Sequence, residues 1–262
     1  MDTTKLHVSA LQMHLEWENP ERNLQRIDEF LSKLTPKTQL ALLPEMFTTG
    51  FSMTPKSFAQ SMNGAWVNWM KDRAKEHDIH LCGSLIIEDA GNYVNRFICA
   101  TNTGTILPVY DKRHLFTMAN EQAHYHPGNK RLIWDIHGWR VFPQICYDLR
   151  FPVWSRNDLD YDLALYPANW PKRRDYPWKT LLRARAIENQ AYVIGVNRVG
   201  EDGNGVDHNG CSAIIDPIGE PVTLIDEHQE GWLHGSLCKD HLKNMRKKFP
   251  FLNDRDDFGL TI

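Results

Sequence analysis

The 262-residue chain reads as an α/β protein, two sheets with helices on their outer faces, and three observations point that way. Strand-like and helix-like patterns alternate from start to finish. Several short runs are apolar on both sides, as in strands covered on two faces, and no Gly/Ser- or Pro-rich tether divides the chain. With 42% apolar residues the chain can bury one large core. A single domain over residues 1–262 is therefore expected, with 237–262 as a tail packing on the domain or on a second copy.

The elements follow in order. Leu6 to Met13 alternates apolar and polar residues as a strand. Asn19-Pro20 supplies an N-cap and a first-turn proline for a helix whose Leu24, Ile27, Leu31 and Leu34 share one face. Leu40 to Leu43 reads as a central strand, Trp66 to His77 as a second helix. Strands are expected over Ile79 to Glu88, Tyr93 to Asn102 and Ile106 to Asp111, punctuated by Asp89-Ala90-Gly91-Asn92 and Asn102-Thr103-Gly104. A His-rich loop from Arg113 to Lys130 precedes a hairpin, Leu132 to Ile145, turning at His137-Gly138, and a short helix after Pro152. The second half repeats the style, with strands at Leu163 to Tyr166 and Tyr192 to Val199 around a Trp178 to Gln190 helix. Further strands are expected at Cys211 to Asp216, Val222 to Leu224 and Gly231 to Ser236.

A net charge of -3 lacks the basic excess of a nucleic-acid binder. Met1 to Lys5 leads straight into the first strand without a basic segment followed by an apolar one, and no apolar stretch approaches a membrane span. A cytoplasmic protein is expected, without nucleic-acid or membrane partners. The five cysteines (Cys82, Cys99, Cys146, Cys211, Cys238) are odd in number and lack C-x-x-C spacing, so reduced thiols are the expectation.

Three apolar runs end in reactive groups. Leu40 to Pro44 stops at Glu45, Ile106 to Asp111 at Lys112, and the hairpin delivers Cys146. A carboxylate, an ammonium and a thiol at the carboxyl ends of separate strands are the parts of a cysteine acyl-transfer site. Each also has a plain reading: a cysteine in an apolar run is more often inert core, and Glu45 with Lys112 could be a structural ion pair. His114, His124 and His126 share one loop, but without an acidic or thiolate partner at ligand spacing no metal site is expected, and no cofactor.

The flanking segments shift that balance. Leu43-Pro44-Glu45-Met46-Phe47, Tyr110-Asp111-Lys112-Arg113-His114-Leu115 and Cys146-Tyr147-Asp148-Leu149-Arg150-Phe151-Pro152 resemble, in order and spacing, the three signature segments of the nitrilase superfamily of carbon-nitrogen hydrolases. Met46 to Phe51, Tyr147 to Pro152 and Arg183 to Gln190 resemble its omega-amidase branch. Val153 and Trp154 depart from the pattern, since many relatives place an acidic residue after Arg-Phe-Pro.

The resemblance implies a four-layer α-β-β-α sandwich, usually dimeric through outer helices, with the Trp178 to Gln190 helix as the expected contributor. It implies Cys146 as nucleophile, Glu45 as general base and then acid, and Lys112, with the backbone N–H of Tyr147, as the oxyanion hole. Glu121 is the best match for a second glutamate. The implied reaction removes the terminal amide of short dicarboxylate monoamides such as 2-oxoglutaramate and 2-oxosuccinamate. That demands a cation for the distal carboxylate, for which Arg113, Arg150, Arg173 and Lys172 are candidates. Arg150 could instead pair with Asp148 or Glu188, and Lys172-Arg173-Arg174 could be a solvated run. Trp170, Phe47 and Phe116 are candidates for the pocket walls. Three alternatives stay open: another amidase or nitrilase of the same fold, a papain-like hydrolase using one of twelve histidines as base, and a non-catalytic binding protein.

Overall fold

A computed structural model describes residues 4–260; residues 1–3 and 261–262, the ends of the expected whole-chain domain, lie outside the described residues. The first half contains β1 (Lys5–Gln12), α1 (Pro20–Leu31), β2 (Leu40–Leu42), α2 (Pro55–Phe58), α3 (Ala65–Glu76), β3 (His80–Asp89), β4 (Asn92–Ala100) and β5 (Tyr110–Asp111). The second contains β6 (Trp134–Ile136), β7 (Trp139–Pro143), α4 (Pro152–Ser155), β8 (Leu163–Ala168), α5 (Asp175–Asn189), β9 (Tyr192–Asn197), β10 (Val199–Glu201), β11 (Asp207–Asn209), β12 (Ala213–Ile215), β13 (Pro221–Leu224), β14 (Gly231–Cys238) and α6 (Lys239–Lys248).

Two six-stranded sheets result, ordered β14-β1-β2-β3-β4-β5 and β13-β12-β9-β8-β7-β6. In each, the three central strands run parallel and the outer strands antiparallel. The period-2 alternation of β1 shows how the layers form. Leu6, Val8 and Ala10 face the second sheet and join Phe142, Leu165 and Val196 in one buried cluster, whereas Leu11 faces the opposite way, toward Ile27 and Leu31 of α1 and Met70 of α3. On the far side of the second sheet, α5 buries Trp178, Leu182 and Ala186. The result is the expected α-β-β-α sandwich. At Gly195 of β9 a Cβ would stand 2.5 Å from Leu182 of α5, so only glycine allows this helix-to-sheet approach.

The expected strand Ile106 to Asp111 is corrected to Tyr110–Asp111 plus a single bridge at Ile106, because Pro108 has no N–H to give a ladder and its carbonyl is taken by Trp134 Nε1. The Arg113 to Lys130 loop holds two 3-10 turns, Thr117–Ala119 and Glu121–Ala123. Helix α6 was not anticipated: only Leu242 and Met245 are buried on an otherwise charged helix. It docks through Arg246, whose guanidinium donates to the carbonyls of Gln190 and Tyr161.

Candidate active site

The groups at the ends of the first sheet and the second meet between the layers. Beyond β2, Leu43 N–H still donates to Cys82 O, and the chain then turns sharply at Met46, which sits at φ +45° with its N–H held by Ser84 Oγ. That turn folds the fully buried Glu45 side chain back over the strand ends. Lys112 follows β5; its N–H donates to Asn95 O and its carbonyl accepts from Gly128 N–H. A Cβ on Gly128 would lie 2.1 Å from Asp111 O, so glycine is required for this return of the loop.

Cys146 is also in the left-handed region, at φ +43°, opening a 3-10 segment, Cys146–Arg150. A non-glycine residue held there implies a local cost that the surroundings must over-determine. Asp148 does so: its buried carboxylate accepts from Ile145 N–H at 3.0 Å, Tyr110 OH at 2.7 Å, and the backbone and ring nitrogens of His114 at 2.9 and 2.8 Å. His114 in turn stacks on Phe151 with ring centroids 3.6 Å apart. Cys146 is therefore tied to the segment that carries Lys112.

Lys112 Nζ lies 3.0 Å from Glu45 Oε1 and 3.0 Å from each oxygen of Glu121, and all three side chains are at most 1% exposed. Glu121 is anchored by Phe116 N–H. Glu45 Oε1 accepts a second bond from Asn95 Nδ2 at 2.9 Å, and Oε2 accepts from Asn169 N–H at 2.9 Å. Burial disfavours the Lys112 ammonium, but Glu121, Glu45 and Cys146 outweigh it and hold the amine protonated well above its ordinary range. Burial raises the Glu121 carboxyl, partly offset by Lys112. The Cys146 thiol is pushed well up by burial and then by Glu45, with Lys112 and Asn169 N–H opposing. Its proton thus stays on sulfur at rest and has one adjacent acceptor, Glu45.

Glu45, Lys112, Cys146 and Asn169 floor a pocket of about 360 Å³. Phe116, Trp170, Phe51 and Met53 line it, and Arg150, Arg173 and Arg174 stand among its walls with the 202–206 loop. Arg150 lies over the Trp170 ring at 4.9 Å and Arg174 over Phe116 at 5.0 Å. The acceptors of Asp148 go to Tyr110, His114 and Ile145, and Glu188 pairs with Arg185, so Arg150 is not their partner. Tyr147 lines the pocket, its N–H in the first turn of the 3-10 segment, where backbone donors have no acceptor within the helix.

Three expectations are corrected. Phe47 is fully buried against Trp69 and packs so closely on Gly83 that it belongs to the core under α3; the turn at Met46 sends Glu45 and Phe47 apart, and Phe51 takes the wall position. Arg113 points away, donating to Gly128 O and lying over Trp154, where it borders a separate cleft. Lys172 stands outside the pocket, near Asp207. Sequence reading missed Asn95, Asn169 and Arg174; Asn169 carried a signal, since it ends the apolar Tyr166-Pro167-Ala168 run.

Among the described residues, one group has metal-ligand geometry, Asp175, Cys211 and Glu227, away from this pocket. Lys179 Nζ sits 2.9 Å from both carboxylates, so an ammonium already fills the place of a cation. His114, His124 and His126 do not converge on one another; His114 serves Asp148. No helix among the described residues is long and apolar enough to cross a membrane.

Residues 7–247 match the carbon-nitrogen hydrolase family. The chain is 46% identical over 255 residues to the omega-amidase YafV of Escherichia coli K12, covering 97% of this chain and 98% of that one. It is 30% identical to the 2-oxoglutaramate amidase of Bacillus subtilis over 254 residues, covering 95% and 97%. The structure superimposes with a TM-score of 0.95 on XC1258 of Xanthomonas campestris, a CN-hydrolase superfamily protein with an arsenic adduct in its active site, at 41% identity and 98% and 99% coverage.

Proposed function

Because the chain belongs to the carbon-nitrogen hydrolase family, we propose that it hydrolyses the terminal amide of short dicarboxylate monoamides of the 2-oxoglutaramate and 2-oxosuccinamate type to acid and ammonia. The observation that carries this reading is Glu45, Lys112 and Cys146 together on the floor of a pocket whose walls hold three guanidinium groups, with the buried Glu121 bound to Lys112 Nζ.

In the proposed mechanism, Cys146 Sγ attacks the amide carbon while its proton passes to Glu45, so no free thiolate accumulates. The carbonyl oxygen becomes an oxyanion facing Lys112 Nζ and Tyr147 N–H, donors worth about 3 to 4 kcal/mol each in comparable sites. The C–N bond breaks as Glu45 returns the proton to the departing nitrogen, and ammonia leaves a thioester. Water gives a proton to Glu45, attacks the thioester, and sulfur leaves and is reprotonated. Glu121, bidentate on Nζ, fixes Lys112 so that it does not follow the substrate. Arg150, Arg173 and Arg174 supply the cation for the distal carboxylate, with Trp170 and Phe116 against the chain. A papain-like base is not favoured: the histidine that lines the pocket, His208, is buried and turned to Gly200 O.

We further propose one cytoplasmic domain that pairs through α5. Supporting this are five free thiols, four of them buried, and the exposed Tyr176 and Ile187 on that helix.

Ammonia release from 2-oxoglutaramate by wild type and Cys146→Ala in parallel, with glutamine, asparagine and a nitrile as controls, tests the reading. Release by wild type alone, with preference for the keto-acid amide, is expected. Turnover of the nitrile but not of 2-oxoglutaramate would sink the substrate assignment.

A further inference from the structure

Glu45 and Glu121 contact the same ammonium in different ways. Glu121 places both oxygens 3.0 Å from Lys112 Nζ, whereas Glu45 presents Oε1 alone. The difference has a visible cause. Asn95 Nδ2 donates to Glu45 Oε1 at 2.9 Å, and Asn169 N–H holds Oε2 at 2.9 Å on the other side, so the carboxylate is pinned at both ends. After burial, Glu45 is the group that most raises the Cys146 thiol, so this pinned carboxylate is the thiol's neighbour.

We infer that Asn95 is a positioning residue for the amide hydrolysis: it fixes the Glu45 carboxylate in the orientation from which it takes the thiol proton. The same residue accepts Lys112 N–H through its own carbonyl at 2.9 Å, and so sets the base and the cation from one point on β4. Two features mark the position as more than packing. Asn95 is fully buried in the interior of a strand, where a β-branched apolar residue fits better, and its Oδ1 has no partner among the described residues. A buried amide half of whose capacity goes unused is a local conflict of the kind that collects at working sites. Turning the amide over would place Oδ1 against the carboxylate, so only this orientation serves Glu45. Asn95 does not line the pocket, so its effect reaches the substrate only through Glu45 and Lys112.

Without Asn95 Nδ2, Glu45 is free to swing onto Nζ with both oxygens, as Glu121 does, and to leave the position from which it serves the thiol. Asn95→Ala is then expected to lower kcat by about 10- to 100-fold, part of what a displaced general base forfeits. Its KM should stay within about 2-fold, since uniform binding is untouched. Asn95→Asp keeps the shape and sets a third carboxylate against a site already containing Glu45, Glu121, Lys112, Tyr125 and Cys146. Its kcat should fall and the acid limb of its pH profile move to higher pH, because neighbouring carboxylates share protons.

The inference rests on Glu45 being the base, so Glu45→Gln is assayed alongside. An active Glu45→Gln removes that reading itself. An inactive Glu45→Gln with Asn95→Asp matching wild type in kcat and pH profile overturns the inference alone. So does an equal change in kcat and KM for Asn95→Ala.

Discussion

Replacing Lys112 by Met keeps the length of the side chain and leaves Glu45 and Glu121 facing one another without a cation. At 3.0 Å and an effective dielectric near 20, each carboxylate gains roughly 5.5 kcal/mol of gross attraction from Nζ. Desolvation of the buried ammonium and carboxylates cancels much of that, and breaking a buried pair costs about 3 to 5 kcal/mol net. At about 2 to 4 °C per kcal/mol for a domain of this size, the melting temperature should fall by roughly 6 to 20 °C at neutral pH. The deficit should also depend on pH. In the variant the like-charged carboxylates have a raised folded-state pKa, so their native form is favoured below the unfolded carboxylate pKa and loses stability as pH rises through the folded one. Calorimetry of both proteins from pH 5 to 8 should therefore show a gap that is smallest at pH 5 and widest at pH 8. A gap independent of pH, or no gap, would refute the argument that Lys112 is what allows both carboxylates to be charged. Loss of the oxyanion donor should also lower kcat by about 10²- to 10³-fold.

Arg173→Ala should raise KM for a carboxylate-bearing amide with little change for an uncharged one, and equal effects on both would remove Arg173 from carboxylate recognition. Iodoacetamide labelling of Cys146 should accelerate steadily from pH 7 to 9, because burial, then Glu45, hold its proton; a plateau below pH 8 would contradict this. Asp148→Asn should destabilise the protein by about 3 kcal/mol, since buried donors from Tyr110, His114 and Ile145 lose a charged acceptor, and chemical denaturation measures it. His80 is pushed down to about 4 by burial and by His137, so protonation opposes folding. Stability should be fully retained above its unfolded pKa near 6.5 and fall as the pH drops toward 4, and His80→Gln should flatten that slope.

Much of the site was legible because Glu45, Lys112 and Cys146 each interrupt an apolar run, and burial of a charge is visible in sequence as such an interruption. Asn95 stands beside Arg96 near the start of β4, where a pair of polar residues reads as the solvated end of a strand until the amide's partner Glu45 is known. Phe47 and Arg113 were misplaced for a shared reason: one residue of left-handed turn or one loop reversal decides which way a neighbour points, and neither has a periodic signature. Arg174 was lost in a basic run whose members look alike, although only two of the three reach the pocket. The alternation of Leu6 to Met13 was read correctly, yet its pairing with β14 was beyond reach, because nothing local records a contact across more than two hundred residues.

That pairing constrains how the protein can be made. From Lys5↔Cys238 to Gln12↔Gly231, β1 is bound along its full length to a strand that the ribosome delivers last. Until then one edge of a largely apolar strand has no partner, the condition in which nascent chains cross-pair. Folding of the first sheet can begin on the parallel neighbour β2 but cannot finish before Cys238 is synthesised, which makes this a slow topology with high contact order. The same seam brings Lys239 N–H, at the start of α6, onto Thr4 O, so the close of the sheet and the docking of the last helix depend on the same late-arriving strand.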